Sequence, residues 1–130
     1  MPDAKPRFID PPGLWKSPRY TQIVVANGFV FIAGQTAFDL QGNVVGVGDF
    51  RAQAEQTCRN LKIALDAVGA GPEHIVKVTN YIVDRSNLPV LVEVRRAILG
   101  DLRPASTLVV AALARDELLV EIEAIVALPG

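Results

Sequence analysis

One cysteine and one histidine occur in 130 residues, and that scarcity excludes more chemistry than any single motif suggests. Cys58 has no second cysteine to form an internal disulfide and cannot build a thiolate cluster for zinc. His74 alone leaves no ordinary imidazole set for a metal. Neither a metal nor another cofactor is expected. A long apolar run is also missing: nothing approaches the roughly 18 to 20 residues of a membrane span, and no basic start followed by an apolar stretch marks a signal peptide. A membrane partner is not expected, and the expected location is cytoplasmic. Charge of one sign is lacking too. Thirteen basic and fourteen acidic residues leave a formal charge of -1 with no basic block, so the electrostatic footprint of a nucleic-acid binder is missing.

Apolar character is what the chain has in quantity. Half the residues are hydrophobic and the mean hydropathy is +0.29, which is apolar for a small soluble monomer and predicts that other subunits cover part of the surface. The length predicts a single domain that buries roughly 65 to 70% of its unfolded surface.

Residues 1–18 hold five of the nine prolines without sustained periodicity and read as an extended N-terminal arm, with the domain proper spanning 19–130. Tyr20–Ala26 and Phe29–Gln35 are β-branched and apolar runs around Asn27-Gly28, the dipeptide of a type I′ hairpin turn. Asp39–Gly48 reads as an exposed turn or a short second hairpin. Phe50, Ala54, Cys58, Leu61, Leu65 and Val68 recur at helical spacing, with Asp49 as N-cap and Gly69 as stop. Ile75–Val83 is a predicted strand. A second helix capped by Ser86 or Asn87 then runs through Leu91, Val94 and Ile98 to Gly100. Leu108–Leu113 and Leu118–Leu128 are the last expected strands. The order β-β-α-β-α-β-β predicts an α+β layer, one mixed sheet with both helices on one face. The other face has no intrachain cover, so self-association across it is expected.

Two acids stand inside the apolar C-terminal strand. Strand alternation sends Glu121 and Glu123 to one face with Ile125, and Val120, Ile122, Ala124 and Val126 to the other. An ionised group there is costly unless it is paired or the site is wet. The acid face therefore reads as a site or an interface.

Taken in order, several segments resemble one family. They are Ser17-Pro18-Arg19-Tyr20-Thr21-Gln22, Phe31-Ile32-Ala33-Gly34-Gln35-Thr36, Gln56-Thr57-Cys58-Arg59-Asn60-Leu61-Lys62, Val76-Lys77-Val78-Thr79-Asn80-Tyr81-Ile82-Val83-Asp84, Arg103-Pro104-Ala105-Ser106 and Val120-Glu121-Ile122-Glu123-Ala124-Ile125. Together they resemble the Rid family of reactive intermediate deaminases, also called YjgF or L-PSP endoribonuclease-like. The resemblance implies a chorismate-mutase-like fold, a homotrimer with its sheets facing inward, and a small-molecule cleft between neighbouring subunits. It also implies hydrolysis of 2-imino acids and their enamine tautomers to 2-keto acids and ammonia. In the family an arginine in a Pro-Ala-Arg-Ser segment grips the substrate carboxylate, a task that suits a guanidinium fork. This chain reads Pro104-Ala105-Ser106-Thr107, so Ser106 either replaces that arginine or follows a one-residue deletion, and Arg103 precedes the proline. Glu121, Tyr20 and Gly34 match the family's acid, tyrosine and cleft glycine, and Glu93 stands where an asparagine is common.

Each residue also carries a structural reading. Glu121 is a general base acting on water or a solvated or interface-paired acid. Tyr20 is a hydrogen-bond donor at a cleft mouth or edge packing. Gly34 allows close approach of a ligand or marks a bulge. Ser106 and Thr107 offer hydroxyls to a ligand oxygen, a weaker grip than an ion pair. A nucleophilic serine has no histidine beside it, since His74 is alone. The functional readings are thus a weakened deaminase, a non-catalytic small-molecule binder and, last, a ribonuclease or translation inhibitor.

Overall fold

The computed structural model of the chain describes residues 5–129; Gly130 and the first four residues of the expected arm lie outside them. The rest of that arm is built into the fold, which differs from the expectation. Strand β1 (Arg7–Ile9) pairs antiparallel with β2 (Ile23–Ala26), Phe8 opposite Val24, and Leu14 is buried in the core. A three-residue strand leaves no periodicity to read, because the edge it meets decides whether it pairs.

The hairpin of β2 and β3 (Phe29–Gln35) turns on Asn27 and Gly28, at φ 54° and 81°. Positive φ at both central residues is what a type I′ turn needs, and it matches the twist of the flanking strands. β2 starts three residues later than expected, because the Gln22 amide leaves the ladder and donates to Asp10 Oδ1 at 3.0 Å. Five further helices and strands complete the domain: α1 (Phe50–Ala67), β4 (Ile75–Ile82), α2 (Leu88–Leu99), β5 (Ala105–Val110) and β6 (Val120–Ala127). The six strands form one sheet in the order β1-β2-β3-β6-β4-β5, with the β4–β5 pair parallel and the others antiparallel. β5 begins at Ala105 rather than Leu108 and ends at Val110. Parallel pairing with β4 bounds it, Ala105 facing Lys77 and Val110 facing Ile82, and Pro104 supplies no amide to extend it upstream.

Asp49 caps α1 by accepting from the Ala52 amide at 3.1 Å, and Gly69 at φ 70° follows its end. Asn87, one of the two expected caps, holds the N-cap position of α2, but the side chain that caps the entry is Asp84. Its carboxylate accepts from the Ser86 amide and opens a 3-10 turn over Arg85–Asn87 that runs into the helix, while Asn87 makes no side-chain capping bond. The tighter prelude moves the orphan amides one turn upstream.

Both helices cover one face of the sheet. Val30, Ile32, Val78, Ile82, Val120, Ile122 and Val126 form the core there with Ala54, Cys58, Leu61 and Leu65 of α1 and Leu91 and Val94 of α2. The alternation of β6 holds as expected: Val120, Ile122, Ala124 and Val126 are buried, and Glu121, Glu123 and Ile125 face the other way. Neither helix covers that second face, where Phe29 and Phe31 remain 44% and 45% exposed.

Candidate functional site

A slip in strand pairing creates the site. Between β3 and β6 the register runs Ile32 opposite Ala124 and then Gln35 opposite Ile122, so Ala33 and Gly34 bulge from the ladder. Glu121 occupies the space this leaves. A Cβ on Gly34 would lie 2.6 Å from Glu121 Cδ and closer still to a carboxylate oxygen, a separation no side chain tolerates. The close approach that glycine permits here is therefore the approach of Glu121 itself.

Around this pair opens a cleft of about 350 Å³, lined by Tyr20, Gly34, Thr36, Phe38, Leu118 and Glu121, among others. Glu121 is half-buried and belongs to none of the four ion pairs among the described residues. Burial, and then the charge of Glu123, raises its pKa above the ordinary carboxylate value. Burial, and then the charge of Glu121, also raises the pKa of Tyr20, so the phenol keeps its proton at neutral pH. The cleft thus sets a poorly solvated proton acceptor and a neutral hydrogen-bond donor around one space.

Its walls are held from beneath by buried polar side chains, none of which the sequence singles out as a site residue. Asn60, 5% exposed on α1, donates to the carbonyls of Thr36 and Phe38 at 2.9 and 3.0 Å. Gln35 donates to Gln22 Oε1 at 2.7 Å, and Gln22 donates to the Trp15 carbonyl at 2.8 Å. Gln53 fixes the segment before β6, donating to the Glu117 carbonyl and accepting from the Leu119 amide at 2.8 and 2.9 Å. Phe38 is held edge-on by Trp15, and the Arg115 guanidinium lies 4.8 Å above its ring while donating to the Gly42 carbonyl. The signal in the sequence is Gln53 and Asn60 breaking the apolar stripe of α1, since a buried polar side chain demands a partner.

Other expected site residues lie elsewhere in the chain. β5 is an edge strand separated from β6 by β4. Ser106 accepts a hydrogen bond from Asn80 at 3.2 Å; Asn80 in turn accepts from Arg95 at 2.7 Å. Thr107 accepts from Lys77 Nζ at 3.0 Å. Arg103 is exposed ahead of Pro104 and β5. Glu93 is exposed on α2 and pairs with Arg51. His74 accepts from the Gly71 amide at 2.9 Å in the 3-10 turn before β4, and Cys58 is buried, its thiol pKa pushed up to about 11 by desolvation. Among the described residues no three His, Cys, Asp or Glu side chains gather to hold a metal ion, and no helix is long and apolar enough to cross a membrane.

Comparison with known proteins agrees with this architecture over most of the chain. Residues 15–128 match the model of the family described as Endoribonuclease L-PSP. A RutC family protein of Pyrococcus horikoshii is 34% identical over 106 residues, covering 82% of this chain and 84% of the relative. A 2-iminobutanoate/2-iminopropanoate deaminase of Dermatophagoides farinae is 32% identical over 108 residues, with the same coverage of 82% and 84%. The solved structure of RidA from the Antarctic bacterium Psychrobacter sp. superposes with a TM-score of 0.85 at 31% identity, covering 94% of this chain and 99% of that one. With the ordered segments, the fold and these matches in agreement, the chain belongs to the Rid family, the YjgF or endoribonuclease L-PSP proteins.

Proposed function

We propose that the chain is a homotrimeric hydrolase of reactive imines and their enamine tautomers, with Glu121 as general base in a cleft completed by a neighbouring subunit. The observation that carries this reading is the Glu121 carboxylate, half-buried, outside every described ion pair and seated against Gly34 in the cleft. In the reaction, Glu121 takes a proton from water as the water oxygen bonds to the imine carbon and the C=N π pair moves to nitrogen. Glu121 then returns that proton to nitrogen, giving a carbinolamine; the hydroxyl proton of this intermediate passes by way of Glu121 to the amino group, the C–N bond breaks as the C=O bond forms, and a carbonyl compound and ammonia leave. Tyr20 donates a hydrogen bond to the bound ligand. The deaminase relative supports the chemistry.

Hydrolysis of 2-imino acids is expected to be slow. Ser106 stands in the Pro-Ala-Ser-Thr segment with a hydroxyl already engaged by Asn80, and a hydroxyl cannot replace a bidentate guanidinium. Losing a charge-assisted contact of about 1.5 to 3 kcal/mol slows a reaction by roughly tenfold to a hundredfold. In the trimer the ligand contacts assigned to a neighbour are the hydroxyls of Ser106 and Thr107. Arg103, outside the strand, and Glu93, paired with Arg51, are assigned none.

The test is keto-acid release from 2-iminopropionate generated in place, compared with an arginine-bearing family member and with Glu121→Gln. Slow turnover that Glu121→Gln abolishes is expected. Full activity in that variant removes Glu121 from the mechanism. Ligand-induced stabilisation without turnover favours the non-catalytic binder, whose motive is the same missing arginine. An RNA-cleaving role has less support: the chain has no basic stripe, and His74 is held in a turn remote from the cleft residues.

A further inference from the structure

The residues lining the cleft carry one formal charge between them, the carboxylate of Glu121; the rest offer hydroxyls, backbone and apolar surface from Tyr20, Thr36, Phe38, Ala114 and Leu118. No lysine or arginine of the same chain lines it, and beside the hydroxyls assigned to the neighbour the Lys77 ammonium is engaged by the Val78 carbonyl and the hydroxyls of Thr79 and Thr107. The Arg115 guanidinium is committed to the Phe38 ring and to the Gly42 carbonyl. Beyond the lining, the charges that bear on the cleft groups are mixed but weighted to the negative. Glu123 acts on Glu121, while Asp10 and exposed Arg19 act on Tyr20 in opposite senses. A ligand carboxylate entering here would meet a carboxylate rather than a fork of donors, and low-dielectric walls make that repulsion larger than it is in water. A cationic nitrogen meets the opposite situation. It gives Glu121 the partner that the described chain does not supply, and its own desolvation is offset by an ion pair.

We propose that this cleft selects carboxylate-free cations: small aliphatic iminium or primary ammonium compounds with a short apolar substituent. The proposal rests on the reading of the Glu121 cleft as the site of imine hydrolysis and names the substrate class for it. The apolar substituent packs against Phe38 and Leu118, and the nitrogen faces Glu121. Hydrolysis keeps the same balance as before: an iminium and water become an aldehyde or ketone and an ammonium ion.

A matched pair of imines isolates the charge. Propan-1-imine, made in place from propylamine by an amine oxidase, differs from 2-iminobutanoate, made from 2-aminobutyrate by an amino-acid oxidase, only by the carboxylate. The rate enhancement over spontaneous hydrolysis is expected to be at least tenfold larger for propan-1-imine with the wild-type protein. A larger enhancement for 2-iminobutanoate, or an equal one, overturns the substrate class and leaves imine hydrolysis standing. Calorimetric titration with propylammonium and with butyrate reads the same selectivity without chemistry. Propylammonium is expected to bind at least tenfold more tightly than butyrate, and Glu121→Gln is expected to remove that preference. If neither imine is turned over while the cation preference persists, the hydrolase reading falls and the ligand class stands. Absence of binding by propylammonium, or tighter binding of butyrate, overturns the proposal outright.

Discussion

Burial and the charge of Glu123 hold the Glu121 carboxyl above its ordinary pKa, so the folded chain keeps this proton at pH values where the unfolded chain has released it. Folding stability therefore falls as pH rises from the ordinary carboxylate range to the raised value, and the loss is complete above it. Glu121→Gln is expected to melt slightly higher than wild type at neutral pH and to show no advantage in acid below the ordinary carboxylate range. A scan of melting temperature against pH checks this, and parallel curves would place the carboxylate in water. The proposed catalysis has the opposite dependence. Turnover should rise with pH as Glu121 ionises, with its midpoint above the ordinary carboxylate range. Gly34 has a matching prediction. A methyl there collides with Glu121, so Gly34→Ala should displace the carboxylate, lower turnover at least tenfold and cost about 1 to 3 kcal/mol of stability through overpacking. Denaturant melts and rate measurements on the same sample separate the two effects, and unchanged turnover would detach the bulge from the chemistry.

Among the elements, α1 serves two purposes, because its buried face carries polar side chains among the apolar ones. Asn60 satisfies the carbonyls of Thr36 and Phe38, both residues of the cleft wall, so the helix fixes the site without lining its open space. Truncating Asn60 to Ala leaves these acceptors without their donor, which costs about 1 to 3 kcal/mol. Thr57, one turn earlier, is the contrast. Its buried hydroxyl has no hydrogen-bond partner among the described residues, so Thr57→Val removes an uncompensated polar group at nearly constant volume and should leave stability equal or raise it by about 1 kcal/mol. Urea denaturation of both variants measures the pair. Equal losses would mean that Thr57 has a partner, such as an ordered water, that the valine removes.

For the molecule as a whole the open sheet face is the dominant fact. Phe29 and Phe31 lie exposed on it, and a hollow of about 330 Å³ there is bounded by Phe31, Lys77, Thr79, Glu123 and Ile125. Apolar side chains with a carboxylate and an ammonium among them suit contact with copies of the same face, where the apolar groups leave water and the charges at the rim set register. Light scattering at micromolar concentration is expected to give three times the 14.0 kDa chain mass. Phe31→Glu is expected to shift that mass toward the single chain. A stable monomer in the wild type would overturn both the assembly and the shared cleft.

Much of this was legible along the chain because it depends on neighbours in sequence. Asn27-Gly28 determined the hairpin turn, the apolar positions from Phe50 to Leu65 determined α1, and period-two alternation placed Glu121 and Glu123 on the face opposite the core. The short strand Arg7–Ile9, the start of β5 at Ala105 and the cap at Asp84 were not legible, since each depends on which partner edge or turn a segment meets. Tertiary structure alone decided the geometry of the candidate cleft. It slipped the β3–β6 register so that Gly34 makes room for Glu121. It brought Tyr20 and Thr36 to the same cleft and left Ser106, Thr107 and Arg103 on or ahead of β5, with Glu93 paired to Arg51 on α2. Pattern and propensity act over a few residues, whereas the pairing of β3 with β6 joins segments some ninety residues apart, and only closure of the sheet sets their register.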